Sequence, residues 1–384
     1  MRPVYIVGTG QTPVGEHWDR SLERLAVEAF RPAHAAAQYA PIEALYVANA
    51  LGSSLASQAQ LGAHLAAVLG LGPIEAISVE AAGASGGVAL RQAYLAIASG
   101  VYDCVAVAGV EKVTDVLDSP LEAALALGLD AASEAEQGLT LAGGWALLQR
   151  RYSYQYGYEA ADFAVFPVNA HANGARNPNA MYRFPITAAK VASAAAVAAP
   201  IGLLDSSTVA DGAAVVILAS AGIARELPQA PVRIAGSAVA TAPLALAARP
   251  DPLWLDAAAQ STDLALRQAG VSRQEIQVAD LSDQHGIVAT LALESSGFVE
   301  RGQAPRWAAD GAIATTGRLP LATAGGCKGR GDTVGALGLY QVVELTAQLQ
   351  AAAGRNQVEG ARVALAQCLG GLGATAATHL LVRE

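Results

Sequence analysis

Pro3-Val4-Tyr5-Ile6-Val7-Gly8-Thr9-Gly10 and Pro231-Val232-Arg233-Ile234-Ala235-Gly236-Ser237-Ala238 are the two stretches of this 384-residue chain whose likeness decides its architecture. Each is a proline, then a short apolar strand-type run, then a glycine-containing exit. Each leads through a loop into a helical pattern (21–38 and 254–269) and a second strand-type run (44–50 and 276–281). Late in each copy a glycine-rich turn opens a mostly apolar helix, at 81–99 and at 331–349. Strand and helix alternating twice over in this way predict an α/β protein with buried, partly parallel sheets, built by duplication.

Working outward from the first copy, Ser21 is placed to cap a helix whose apolar stripe is Leu22, Leu25, Ala26, Ala29 and Phe30, with Pro32 expected to kink or end it. The helix at 83–99 has no charge before Arg91, so it belongs inside the protein. Residues 113–200 have a different texture. They carry Tyr152, Tyr154, Tyr156 and Tyr158 and an Asn/Pro-rich stretch at 169–185, which predicts a loop-rich inserted lobe with the tyrosines on a solvated or interface surface. A turn and buried strand return at 211–218, and 222–231 reads as a linker. Two halves, 1–222 and 231–384, with the lobe inside the first, account for the length.

Composition excludes several classes. With 53% hydrophobic and 15% charged residues the chain has far too much to bury to remain disordered. Its apolar runs are short, that at 191–204 being broken by Pro200, so no membrane span is expected; the start has no leader-like pattern, and a cytoplasmic location follows. A net charge of −9 with no Lys/Arg cluster argues against nucleic acid. Cys104, Cys327 and Cys368 are scattered and form no C-x-x-C pair, and the six histidines stand singly, so neither disulfides nor metal is expected. Gly371-Leu372-Gly373-Ala374-Thr375-Ala376 matches a dinucleotide fingerprint, but the chain ends too soon after it for the helix and strand such a site requires.

The duplicated layout resembles the thiolase superfamily, within it the archaeal and sterol-carrier-type thiolases. The resemblance rests on Ile6-Val7-Gly8-Thr9-Gly10-Gln11-Thr12-Pro13, Val79-Glu80-Ala81-Ala82-Gly83-Ala84-Ser85-Gly86-Gly87, Asn173-Gly174-Ala175-Arg176-Asn177-Pro178, Asp211-Gly212-Ala213-Ala214 and Gly325-Gly326-Cys327-Lys328-Gly329-Arg330-Gly331, in that order along nearly the whole chain. It implies a thiolase fold: two βαβαβαββ halves in a layered α/β/α/β/α arrangement, with the lobe covering a coenzyme A thioester cleft and first-half sheets pairing in a dimer. Thiolases need a thiolate at the start of a buried helix, where helix amides stabilise the anion. That position, a Cys in a string E-A-A-C-A-S-G-G, is Gly83 here. The His of the family's G-H-P segment is Asp332; the His or Asn of its H-D-A-F or N-E-A-F motif is Ser282; Cys368-Leu369-Gly370-Gly371 matches the C-x-G-G turn, whose Cys shuttles a proton and whose glycine amides, Gly370 here, complete an oxyanion hole.

Each departure has two readings. Gly83 is a close-packed glycine or a vacated nucleophile site; Asp332 an N-cap or a replacement base; Cys368 a small buried hydrophobe or the surviving proton shuttle. His285, standing where the family motif has Phe, invites pairing with Cys368, but its position points it elsewhere. Cys104 and Cys327 read as core, and Arg176, Lys328 and Arg330 as structural. The functional expectation is a protein that binds an acyl-CoA without a nucleophilic cysteine, non-catalytic or rewired. The alternatives are a retro-aldol lyase on a β-hydroxyacyl-CoA, with Asp332 or Cys368 as base, and an ordinary acetyl-CoA acyltransferase. No permanent cofactor is expected beyond the thioester ligand. The resemblance also implies a homodimer, or a heteromer with an active thiolase or a small OB-fold zinc-ribbon protein.

Overall fold

The computed structural model describes residues 2–116, 119–228 and 231–384. Its strands are β1 (Val4–Gln11), β2 (Ala44–Ala48), β3 (Glu75–Val79), β4 (Cys104–Glu111), β5 (Ala196–Ala198), β6 (Ile201–Gly202), β7 (Gly212–Ser220), β8 (Val232–Thr241), β9 (Val278–Leu281), β10 (Val363–Gly370) and β11 (Thr375–Arg383). Nine of them form one sheet in the order β3-β2-β4-β7-β1-β8-β11-β10-β9. The two halves mirror each other about the β1–β8 seam, a short antiparallel contact of Tyr5 with Arg233 and Ile6 with Val232. In each half the inner strands are antiparallel and the outer ones parallel, β2 with β3 and β4, and β9 with β10. The second half departs from the expected strand pattern: where β3 stands in the first, it keeps only an isolated parallel bridge between Ala279 and Leu321.

The opening repeat has a packing cause. Helix α1 (Leu22–Ala36) lies across β1 so closely that a Cβ on Gly8 would run into the carbonyl oxygen of Ala33, and one on Gly10 into that of Ala29. In the second half α7 (Asp256–Ala269) lies across β8, and a Cβ on Gly236 would run into the carbonyl oxygen of Ala265. Ser21 caps α1 by accepting the Arg24 N–H at 3.3 Å. Pro32 is accommodated inside α1 rather than ending it, and the helix closes at Ala36. Helix α2 (Leu61–Val68) joins α1 on the outer face of the first half.

Between the half-sheets lie α3 (Ser85–Ser99) and α9 (Leu337–Leu349), the two apolar helices expected at the centre. They touch through glycines: a Cβ on Gly338 would come 2.5 Å from the Gly87 nitrogen. Leu90, Ile97, Val107, Val216, Leu339 and Leu345 belong to the core formed there, and each such buried side chain contributes about 1.5–3 kcal/mol. Helix α8 (Gly286–Ser295) is buried at every residue and packs outside the second half against the inserted segment.

That segment carries α4 (Ser119–Ala126), α5 (Leu141–Tyr156), α6 (Val165–Gly174) and the β5–β6 hairpin. Its base is tied by Asp211, whose buried carboxylate accepts the N–H groups of Val113, Thr114 and His17 and pairs with Lys112 at 2.9 Å. Burial alone would raise its pKa, but the bonds from Thr114, Val113 and His17 hold it below the usual range. The tyrosines correct the surface expectation. Helical geometry turns Tyr152 and Tyr156 to one side, where Tyr152 is buried, packs at tilted and edge-on angles against Tyr156, Tyr158 and Phe163, and donates to Glu294 at 2.6 Å; Tyr154 faces out at 82% exposure. Among the described residues no helix is long and apolar enough to cross a membrane.

Candidate functional site

The inserted segment roofs a cleft of about 1000 Å³, its open mouth included, at the point where α3 and α9 begin. The two helix starts are copies of one device. Ala82 and Val334 have left-handed backbone, φ +48° and +43°. Each N–H is held by the acidic side chain two residues earlier, Ala82 by Glu80 at 2.6 Å and Val334 by Asp332 at 3.0 Å. A glycine follows each, Gly83 and Gly335. Asp332 thus stabilises a strained turn, and its other oxygen accepts from Ser207 at 3.3 Å. Burial raises the Asp332 pKa against the pull of these hydrogen bonds.

Gly83 lines the cleft, and having no side chain it does so with backbone alone. The direction in which a Cβ would leave it is filled: the Leu369 carbonyl oxygen would stand 2.6 Å away. Of the glycines after Cys368 it is Gly371, not the expected Gly370, that reaches the cleft; Gly370 is pressed against the Ala81 carbonyl.

Ser282 and Cys368 lie beneath the wall rather than on it. The Ser282 hydroxyl accepts the Leu369 N–H at 3.0 Å and so fixes the end of β10. The Cys368 thiol faces the carbonyls of Ala84 at 3.7 Å and Ala377 at 4.0 Å, and burial pushes its pKa up to about 12. Cys104 is likewise raised to about 12, and Cys327 is held well above the usual thiol range by burial and by Asp283. None of the three thiols lines the cleft, and all are protonated at neutral pH.

The groups that do line the polar wall are Ser206, Ser207, Gln284, His285 and Asp332. His285 directly precedes α8 and lines the cleft, whereas Cys368 does not. His285 is 7% exposed, and its buried Nδ1 has no hydrogen-bond partner among the described residues. Burial, reinforced by the charge of Lys328, pushes its pKa down to about 4, so the imidazole is neutral. Lys328 itself is lowered to about 8 by burial, and Asp205, which accepts the Gly286 N–H at 2.9 Å, is raised to about 6. Behind the Asp332 turn, buried Glu111 accepts the N–H groups of Ala50 and Leu51, and burial raises it to about 8. Sequence reasoning missed Glu111, Ser206, Ser207 and Gln284, since no local pattern marks residues brought together from the end of β4 and two separate loops. The opposite wall is apolar, with Leu125, Leu141, Trp145, Val197 and Leu369. One wall of the cleft is therefore apolar, and the other offers hydrogen-bonding groups and a neutral imidazole.

Comparison with known proteins fits this layout. Residues 4–191 match the model of the thiolase N-terminal domain and residues 237–383 that of the thiolase C-terminal domain. An acetyl-CoA acetyltransferase of Methanothermobacter thermautotrophicus is 39% identical over the full length of both chains. The chain belongs to the thiolase family. A 17-hydroxy-3-oxo-4-pregnene-20-carboxyl-CoA lyase of Mycobacterium tuberculosis is 30% identical, over 88% of this chain and 90% of its own. A solved structure titled Ltp2-ChsH2(DUF35) aldolase superposes with a TM-score of 0.87 at 26% identity, covering 99% of this chain and 98% of that one. The family as seen through these relatives therefore contains both acetyl-CoA acetyltransferases and thiolase-like aldolases.

Proposed function

We propose that this thiolase-family protein binds an acyl-CoA thioester in the cleft and acts on the carbon–carbon bond beside the thioester without forming an acyl-enzyme, as a retro-aldol lyase on a β-hydroxyacyl-CoA. The observation that carries the reading is the cleft wall itself: no thiol on it, and at Gly83 no direction for one to enter. A retro-aldol cleavage requires no covalent intermediate, only a base at the β-hydroxyl and donors at the thioester oxygen. The backbone of Gly83 and Gly371, on the cleft wall, supplies the second; a solved structure titled an aldolase supports the reaction class. The apolar wall around Trp145 favours a bulky acyl group. An acyltransferase activity, as the Methanothermobacter relative is named for, lacks an attacking atom here.

In this reading the functional units are the halves 1–222 and 231–384, the lobe at about 113–200 roofing the cleft, and the protein works in the cytoplasm with no bound cofactor beyond its thioester substrate. It assembles through the free edge of β3, where Ile77 is 44% exposed, or beside a small OB-fold zinc-ribbon partner. The test is an assay of purified protein with β-hydroxyacyl-CoA thioesters carrying linear, aromatic and polycyclic β-substituents. Release of a ketone or aldehyde together with a shortened acyl-CoA is expected; thiolytic transfer to free coenzyme A instead would contradict the reading.

A further inference from the structure

Four titratable side chains line the cleft among the described residues: Glu80, Glu122, His285 and Asp332. Glu80 and Glu122 are exposed, so water competes at both, and Glu80 is committed to the Ala82 N–H. Asp332 is buried, but one oxygen holds the Val334 turn and the other Ser207. His285 is buried, lines the same wall, and leaves Nδ1 without a partner. A buried polar atom left unpaired carries a desolvation cost that a ligand hydroxyl reaching it would relieve.

We propose that His285 is the catalytic base that takes the β-hydroxyl proton of the substrate. The assignment rests on the retro-aldol reading above and deepens it. The imidazole lone pair accepts the hydroxyl proton, and the O–H electron pair becomes the second bond of the departing carbonyl. The Cα–Cβ bond breaks, and its electrons pass to Cα and the thioester oxygen as an enolate facing the glycine backbone. The imidazolium then returns the proton to Cα, giving the shortened acyl-CoA and regenerating the neutral ring. Its depressed pKa keeps the acceptor free at neutral pH and makes the imidazolium a ready donor in the last step. Lys328 is the neighbour that disfavours the imidazolium, Asp205 lies close by on the same loop cluster, and the enolate supplies the opposing charge only during the reaction.

The experiment compares wild type, His285→Gln, His285→Phe and His285→Ala with the same β-hydroxyacyl-CoA panel, alongside melting curves and acyl-CoA binding. Turnover is expected to fall about 100- to 10,000-fold in all three variants with KM changed far less. Added imidazole is expected to restore a measurable part of it in His285→Ala only. Variants that bind acyl-CoA and turn over within about threefold of wild type would overturn the assignment while leaving the lyase reading standing. A wild type that binds the thioesters and cleaves none of them would overturn the lyase reading first, and the two failures are read from different samples.

Discussion

Two residues at the helix starts, Gly83 and Glu111, are open to direct test by substitution. Gly83 has a backbone carbonyl where its side chain would go, so Gly83→Cys forces the end of β10 to move. It is expected to lose about 1–3 kcal/mol in denaturant melts and to gain no acyl transfer; a stable variant with thiolase activity would show that the position is a vacated nucleophile site. Glu111 tests the electrostatics behind the Asp332 turn. Its folded pKa is raised to about 8 from an ordinary value near 4.5, so the folded protein holds a proton that the unfolded chain has released between those limits. Stability from this group is therefore full below about pH 4.5 and declines as pH rises toward 8. Glu111→Gln is expected to flatten that decline in urea titrations across the window; an unchanged slope would place the proton elsewhere. At this scale the sequence was half legible. Asp332 stands at the second helix start as its residue type suggested, but it holds the Val334 N–H in the turn and does not cap α9, whereas the place of His285 on the cleft wall depends on which way the chain turns into α8, and Glu111 gained meaning only when β4 brought it beneath the second helix start.

At the scale of elements, the repeat was readable because packing writes it into the chain. Gly8 and Gly236 are each forced by a helix lying on a strand, and the paired turns Glu80–Gly83 and Asp332–Gly335 by a left-handed residue before a buried helix. Gly8→Ala and Gly236→Ala are accordingly expected to destabilise the protein by similar amounts, about 1–3 kcal/mol or more, in parallel urea melts. A loss at one site alone would mean that the halves do not share this contact. The tyrosine run misled for a related reason: the solvated or interface surface expected of it fails because in α5 the i, i+4 pair of Tyr152 and Tyr156 shares a face, which turns Tyr152 into the core. The missing third strand of the second half left no mark either, because residues near Leu321 remain buried and apolar whether or not they pair fully.

For the whole molecule, the central placing of the apolar helices α3 and α9 was legible through the duplication and the thiolase resemblance, while the strand order and the contents of the cleft were not: the order emerges only from the pairing of the strands, and the walls come from the helix starts, the lobe and the loop before α8. The free edge of β3 gives an assembly prediction: if it pairs two protomers, Ile77→Lys is expected to halve the mass seen by sedimentation at low protein concentration, and an unchanged species would direct attention to another face. The claim on which all of this depends is that no sulfur of this chain ever carries the acyl group. Acid-quenched protein, mixed with isotopically labelled acyl-CoA and weighed intact by mass spectrometry, is predicted to keep its unmodified mass throughout turnover. A stoichiometric acyl adduct mapped to Cys368, Cys327 or Cys104 would contradict the account.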